Sequence, residues 1–334
     1  NSSKIIGDYN IMKKAFITGI TGQDGSYLAQ LLLEKGYEVH GLVRREAIED
    51  PSRRLWRIEN IIDDIRIHYG TLDNYSGLFH IFKEIKFDEC YHLAAQSFVG
   101  HAIEDSTLTL DTNINGTLNL LSVLAEMNKD CRFYFAGSSE MFGDCKTNPQ
   151  NENTPFNPRN IYGISKVAGY EIVKLFKTNN NLHASCGILY NHESSRRDNI
   201  YVTKKIINFA VELKRGSKNK LFLGDINAQR DWGYAKDYVR AIYNILQYGH
   251  PDTFVISTGK LHTVKDICSI AFGHFGYDYH DFVIVNDQLK RPKEKSVLLG
   301  DSSKARKLLN WKPSISFEDL IVMMLEQEFE KRSD

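Results

Sequence analysis

The chain has 334 residues, 42% of them hydrophobic, which is enough to bury a substantial core in one large domain or in two closely joined ones. Its 42 basic and 42 acidic side chains cancel, so charge gives no general reason to expect a nucleic-acid or membrane partner. No run of about 18 apolar residues predicts a membrane-spanning helix. Five scattered cysteines without a CxxC pair indicate reduced, mostly buried thiols of a cytoplasmic protein, with neither a disulfide framework nor a metal site.

Residues 1–11 are polar and lack the basic start and apolar centre of a signal peptide, and Met12 is a candidate native start. From residue 13 onward, short apolar segments alternate with segments of helical apolar spacing. The alternation predicts an α/β fold, a Rossmann-type doubly wound parallel sheet that binds ligands at the carboxyl ends of its strands. Strands are predicted at 13–18, 37–43, 65–69, 89–93 and 132–135, and helices at 26–35, 75–85 and 111–127.

The alternation breaks near residue 148, where three of the seven prolines fall within an Asn-rich segment. Beyond this segment, helices are predicted at 162–177 and 202–213, and strands at 184–189 and 221–224. We therefore expect two regions. Residues 12–190 form a cofactor-binding Rossmann domain that also carries the catalytic residues, and residues 191–334 form a smaller α/β region, interleaved with the first, that mainly binds substrate.

A glycine-rich turn, GITGQDG at residues 19–25, lies between the first strand and the first helix. Glycine at each third position lets the backbone approach a pyrophosphate, and the helix N-terminus supplies amide donors and partial positive charge. The spacing is GxxGxxG rather than GxGxxG, but the position between strand and helix favours a dinucleotide site over a purely structural turn. The predicted cofactor contacts here are Gly19, Thr21, Gly22, Gln23, Asp24 and Gly25.

Two arginines, Arg44 and Arg45, follow the second predicted strand. An NAD-binding protein commonly places a carboxylate there to accept hydrogen bonds from the ribose hydroxyls, whereas arginine suits a ribose 2′-phosphate. The pair therefore predicts NADP, although a solvated basic loop would have the same composition.

Two further motifs carry groups suited to proton transfer. The strand that ends near Phe135 is followed by Ser138, Ser139 and Glu140, flanked by apolar residues rather than by a polar turn. Tyr162 and Lys166 are spaced i and i+4, so they share one face of a helix, where a nearby ammonium is expected to lower the pKa of the phenol. YxxxK also occurs by chance on helix surfaces, and a carboxylate after a strand can simply be solvated. The occurrence of both motifs in one chain favours a catalytic site over these alternatives.

These residues resemble those of the extended short-chain dehydrogenase/reductases, and within that group the GDP-mannose 4,6-dehydratases. The similar stretches include FITGITGQDGSYLAQLLLEKGYEVHGLVRR, SSEMFG, ENTPFNPRNIYGISK, NHES and QRDWGYAKDYV, and together they cover nearly the whole chain after Met12. The chain departs from the family pattern at Ser138, where the family has Thr, at Thr71, where it has Asp, and in the poorly matching segment 100–111. A related branch of the family acts on GDP-D-glycero-D-manno-heptose.

The resemblance implies an internal redox cycle that yields a 4-keto-6-deoxy sugar. Tyr162 would take the proton of the sugar 4-hydroxyl, with Ser138 bridging by a hydrogen bond, while hydride passes from carbon 4 to NADP. The 4-ketone acidifies the proton on carbon 5, which Glu140 would remove as water leaves carbon 6, and the hydride then returns to carbon 6. The resemblance also implies a homo-oligomer, either a dimer or a tetramer.

Further contacts follow from the resemblance alone. Those implied for the cofactor, besides the turn, the arginines, Tyr162 and Lys166, are Thr71, Leu72, Leu93, Ala94, Ala95, Gln96, Ser97, His192 and Arg197. Those implied for the nucleotide sugar are Ser97, Ser138, Ser139, Glu140, Asn191, Glu193, Val202, Lys205, Leu221, Gly224, Arg230, Arg291 and Glu294.

Two alternatives stay open at this stage. One is an epimerase or 4-keto reductase of the same superfamily, although such an enzyme has no need of Glu140. The other is a non-catalytic NADP-binding regulator, although such a protein has no need of Tyr162 and Lys166. The sugar also stays open, with mannose and manno-heptose as the two candidates.

Overall fold

The computed structural model describes residues 12–45, 54–97, 105–289 and 296–331. The helices are α1 Gln23–Glu34, α2 Tyr75–Glu84, α3 Ser106–Leu110, α4 Gly116–Met127, α5 Ile161–Asn180, α6 Val202–Lys214, α7 Ala235–Gln247, α8 Val264–His274, α9 Ser303–Leu309 and α10 Phe317–Lys331. The strands are β1 Lys14–Thr18, β2 Glu38–Val43, β3 Arg66–Tyr69, β4 Glu89–His92, β5 Arg132–Ser138, β6 Ala184–Leu189, β7 Asn191–Glu193, β8 Leu221–Leu223, β9 Gln229–Arg230, β10 Trp232–Tyr234, β11 Thr253–Ile256, β12 His262–Thr263 and β13 Val283–Val285.

Seven strands form one parallel sheet in the order β3-β2-β1-β4-β5-β6-β11. The predicted doubly wound sheet is thus confirmed. Every residue of β6 is buried, as is every residue of β1 after its first. Helices cover both faces of such a sheet, which explains why these strands read as continuous apolar runs rather than as alternating patterns. The five cysteines are buried and unpaired, as predicted.

A second hydrophobic core lies among α6, α8 and α10 and contains Ile207, Phe272 and Met324. The polypeptide crosses between the two cores more than once, because α7, β11 and α9 come late in the chain yet contribute to the core of the main sheet. Among the described residues, every helix is too short or too polar to span a bilayer.

Three element boundaries differ from the prediction in ways that matter for the site. Helix α1 begins at Gln23, inside the glycine-rich turn, rather than at residue 26. Strand β5 extends to Ser138, so this hydroxyl belongs to the strand itself. The helix predicted at 111–127 begins earlier, with α3, and passes through a π-helical turn at Asp111–Asn115 before α4. Single π-helical turns of this kind often occur at functional sites.

A buried ion pair anchors the C-terminal helix, and its removal tests this packing. Lys204 Nζ lies 2.6 Å from Glu328 Oε2, and the two side chains are only 5% and 9% exposed. Replacing Lys204 by Met removes this cation from beside a buried carboxylate, so we expect a loss of about 3–5 kcal/mol in the free energy of unfolding, measured by urea denaturation.

The matched control for that change is the double variant Lys204→Met/Glu328→Leu. It removes both charges and should recover most of the stability, since two apolar side chains can replace a buried ion pair at little cost. A single variant as stable as the wild type would show that the pair contributes nothing.

Candidate active site

A large cleft runs along the carboxyl ends of β1, β2, β4, β5 and β6, with a volume of about 1690 Å³. Most of the predicted site residues line it. These are Gly19, Thr21, Gly22, Gln23, Asp24, Gly25, Arg44, Thr71, Leu72, Leu93, Ala94, Ala95, Gln96, Ser97, Ser138, Ser139, Glu140, Tyr162, Lys166, Asn191, His192, Glu193, Arg197, Val202, Lys205, Gly224 and Arg230.

Four predicted residues are not placed in the cleft. Arg45 is exposed but does not line it. Leu221 is 4% exposed and packs in the second hydrophobic core, whereas Phe222 and Leu223, the next two residues of β8, line the cleft. Arg291 and Glu294 lie outside the described residues.

At Gly19 and Gly25 the glycine-rich turn is packed so tightly that neither position can accept a side chain. Gly19 has φ +77°, and a Cβ on it would lie 2.8 Å from the amide nitrogen of Ala94. A Cβ on Gly25 would lie 2.2 Å from the carbonyl oxygen of Gly19. No side chain caps α1 at Gly22, so the amides of its first turn are available to an anionic ligand.

Asp24 and His192, both predicted to contact the cofactor, pair with each other. His192 Nε2 lies 2.8 Å from Asp24 Oδ2, and its Nδ1 lies 2.7 Å from the carbonyl oxygen of Tyr190. Burial opposes both charges, but the Asp24 carboxylate and its hydrogen bond still raise the pKa of His192, and the imidazolium lowers that of Asp24. The pair ties β7 to the first turn of α1. Within the described ranges, no group of three or more His, Cys, Asp or Glu side chains is arranged to hold a metal ion.

Tyr162 and Lys166 lie on one face of α5 beside the end of β5, as their spacing predicts. Lys166 Nζ donates to the carbonyl oxygen of Ala136 at 2.8 Å and lies 5.8 Å from the centre of the Tyr162 ring. The Ser138 hydroxyl accepts from the Glu140 amide at 3.2 Å, and it lies close enough to Tyr162 to lower the pKa of that phenol. The strand end and the helix therefore present a phenol, a hydroxyl and an ammonium to the same part of the cleft.

The ionisation of Tyr162 runs against the sequence-based expectation. Burial raises the pKa of Tyr162, and the Ser138 hydrogen bond and the positive charge of Arg197 lower it only in part. Burial also lowers the pKa of Lys166 to about 8. The predicted lowering of the tyrosine pKa by Lys166 is thus wrong for the chain by itself, because the loss of hydration outweighs the nearby charges.

Glu140 lies on the short turn Ser139–Met141, directly after β5. Its side chain is 16% exposed, and Oε2 accepts a hydrogen bond from Asn160 Nδ2 at 2.7 Å. The Arg159 Nε atom lies 4.0 Å from the same oxygen. The carboxylate therefore lines the cleft in a defined orientation instead of extending into solvent.

Asn113 lies in the π-helical turn and was not predicted from the sequence as a site residue. Its Oδ1 accepts from the Gln96 amide at 2.9 Å, and its Nδ2 donates to Ser165 Oγ at 2.9 Å. One amide thereby fastens the loop after β4 to helix α5. The side-chain pattern around Asn113 carries no signal for this role, because both partners are distant in sequence.

Arg57 was also missed, although it stands among several arginines. Its Nη1 donates to the carbonyl oxygen of Thr21 at 3.4 Å, and its Nε donates to that of Arg196 at 2.7 Å. Asp198 lies 3.6 Å from Nη2. This single guanidinium joins the glycine-rich turn to the loop after β7.

Arg197 and Tyr201 also line the cleft. The Arg197 guanidinium lies 3.5 Å from the Tyr201 ring centre and 3.2 Å from the Glu193 carboxylate. The Tyr201 and Ser97 hydroxyls are 3.2 Å apart, which joins two segments separated by 104 residues. Both residues are near enough to Tyr162 to act electrostatically on its phenol.

Comparison with known proteins identifies relatives along almost the whole chain. The profile of the family described as GDP-mannose 4,6 dehydratase matches residues 16–324. GDP-mannose 4,6 dehydratase 1 of Arabidopsis thaliana is 43% identical over 98% of this chain and 94% of its own length. GDP-mannose 4,6-dehydratase of Yersinia enterocolitica is 38% identical over 96% of this chain and 95% of its own length.

Solved structures of lower identity share the fold. A UDP-glucose 4-epimerase from Thermotoga maritima superposes with a TM-score of 0.84 at 23% identity, covering 96% of this chain and 100% of that one. A dTDP-glucose 4,6-dehydratase from Streptomyces venezuelae superposes with a TM-score of 0.84 at 20% identity, covering 96% of this chain and 98% of that one. At this level of identity the likeness establishes the architecture only.

Proposed function

The chain belongs to the family of GDP-mannose 4,6-dehydratases and is a nucleotide-sugar hydro-lyase, and we propose that it uses NADP to convert a GDP-linked manno-configured sugar to its 4-keto-6-deoxy product. The sugar is GDP-mannose or GDP-D-glycero-D-manno-heptose. The observation that supports this best is the Glu140 carboxylate, oriented by Asn160 at 2.7 Å in the cleft that also contains Tyr162 and Lys166.

The residues present fit a nicotinamide dinucleotide. The close approaches at Gly19 and Gly25 and the uncapped first turn of α1 suit a pyrophosphate. Arg44, in the cleft wall after β2, suits a 2′-phosphate. When bound, the oxidised cofactor supplies reversible hydride storage and a positive charge that opposes the effect of burial on Tyr162.

In this proposal each protein group has one task in proton transfer. Tyr162 accepts the proton of the sugar 4-hydroxyl, and Ser138 shares that hydrogen bond. At the 4-keto stage the proton on carbon 5 is acidic, and Glu140 removes it and passes it to the carbon 6 hydroxyl, which leaves as water. Arg197, which lines the cleft and pairs with Glu193 at 3.2 Å, adds positive charge beside Tyr162.

The choice of NADP can be tested at Arg44. Replacing Arg44 by Ala should weaken NADPH binding roughly 10- to 100-fold and NADH binding little, because only NADPH carries the phosphate that a charged hydrogen bond would hold. Fluorescence titration of both reduced cofactors measures this. Arg45→Ala should have the smaller effect, since Arg45 does not line the cleft. An equal loss for NADPH and NADH would contradict a 2′-phosphate contact.

The function itself is tested by incubating the purified protein and NADP with GDP-mannose and, separately, with GDP-manno-heptose. Mass spectrometry should show the loss of one water from at least one sugar without any added reductant, and the faster reaction identifies the sugar. Failure with both sugars, in a protein that still binds NADPH, would overturn the proposal.

A further inference from the structure

The Asn160 side chain links the Glu140 carboxylate to the first turn of α5, the helix that carries Tyr162. It is the N-cap of α5, where its Oδ1 accepts from the Gly163 amide at 2.7 Å. Its Nδ2 donates to Glu140 Oε2, also at 2.7 Å. The helix that it caps carries Tyr162, so the same amide touches both the base of the helix and the carboxylate.

The capping bond decides which way the Asn160 amide is turned. Because Oδ1 receives the Gly163 N–H, the atom that faces Glu140 is the NH₂ group, which can only donate. A fixed donor stabilises the ionised carboxylate, which is the form that a base must have. Among the described residues, no hydrogen bond is made to the other oxygen, Oε1, which leaves it free to approach a substrate.

The surrounding backbone holds this arrangement rigid. A Cβ on Gly163 would lie 2.5 Å from the carbonyl oxygen of Glu140, so the turn that carries Glu140 rests directly on the first turn of α5. On the other side, Arg159 reaches Glu140 Oε2 at 4.0 Å and Asp144 at 3.3 Å. Small changes in this contact would therefore displace the carboxylate relative to Tyr162.

We propose that Asn160 is a positioning residue that holds Glu140, through one hydrogen bond, in the orientation needed to remove the proton from carbon 5. This assignment rests on the proposed function. It concerns the dehydration stage only, because the other partner of Asn160 is a backbone amide and not a group that acts in oxidation at carbon 4.

Two substitutions separate this role from helix capping. Asn160→Asp and Asn160→Ser both keep an oxygen that can cap α5, and both remove the amide donor to Glu140. The Asp variant also places a second carboxylate beside Glu140. The matched control is Asn74→Asp, because Asn74 caps α2 through the Gly77 amide at 2.9 Å with the same N-x-x-G spacing and has no contact with Glu140.

Single-turnover reactions should show oxidation at carbon 4 near the wild-type rate, seen as absorbance of the reduced nicotinamide. Both Asn160 variants should then dehydrate roughly 10- to 100-fold more slowly, the cost of a displaced catalytic group, so that reduced cofactor accumulates. KM should change little. In Asn160→Asp, the acid limb of the kcat profile should move to higher pH, because a neighbouring negative charge hinders ionisation of Glu140.

The outcomes distinguish a failure of the Asn160 assignment from a failure of the proposed function. If the wild type dehydrates a GDP-sugar and both Asn160 variants match it in rate and pH profile, the assignment of Asn160 is overturned and the proposed function stands. Equal slowing of oxidation and dehydration would also overturn it, in favour of a purely structural cap. If the wild type dehydrates neither sugar, the proposed function fails first and the assignment fails with it.

Discussion

Glu140→Gln is expected to lose roughly 10²- to 10⁴-fold in the rate of dehydration while still oxidising the sugar at carbon 4. Glutamine keeps the shape of the side chain but cannot accept the proton from carbon 5. Rapid mixing of the variant with GDP-sugar and NADP should therefore show reduced nicotinamide that persists, and mass spectrometry should show little loss of water.

Glu171→Gln is the matched control for this result. Glu171 is an exposed carboxylate on α5 that pairs with Lys174 at 2.9 Å, away from the cleft, so its loss should leave both stages unchanged. Dehydration by Glu140→Gln within roughly tenfold of the wild-type rate would show that another group removes the proton. That result would return the epimerase and reductase alternatives to consideration.

Tyr162→Phe should slow both oxidation and dehydration, with a loss of roughly 10²- to 10⁴-fold in kcat. Oxidation at carbon 4 needs a group that accepts the hydroxyl proton, and dehydration follows oxidation. The difference from Glu140→Gln lies in the reduced cofactor, which should not form. NADPH affinity, measured by fluorescence titration, should remain close to that of the wild type, since phenylalanine preserves the ring.

Tyr170→Phe provides the comparison on the same helix. Tyr170 lies two turns further along α5, where its hydroxyl is 3.3 Å from Thr253 Oγ1 and outside the cleft. Its loss should leave turnover unchanged. Unchanged turnover in Tyr162→Phe would show that another group accepts the proton of the sugar 4-hydroxyl.

Several features were open to prediction because they depend on near neighbours in the chain. The alternation of apolar strands and amphipathic helices predicted the parallel sheet, and the spacing of Gly19, Gly22 and Gly25 predicted a close backbone turn between the first strand and the first helix. The i, i+4 spacing of Tyr162 and Lys166 predicted a shared helix face. Each of these predictions rests on residues that are close to one another in the sequence.

The tertiary structure decided the features that depend on distant partners. No local pattern pairs Asp24 with His192, which are separated by 168 residues, or places Leu221 in a core rather than in the cleft. Asn160 could be recognised as a helix cap from the N-x-x-G spacing, but its bond to Glu140 depends on where β5 ends beside α5.

The ionisation of Tyr162 also depended on the tertiary structure rather than on the local sequence. From the sequence alone, the lysine one turn away was expected to lower the tyrosine pKa, whereas the folded chain raises it by burial. Residue type and spacing determined which groups meet in the cleft. Their protonation and orientation were decided only by folding, because hydration, burial and long-range hydrogen bonds depend on the packed three-dimensional surroundings and not on neighbours along the chain.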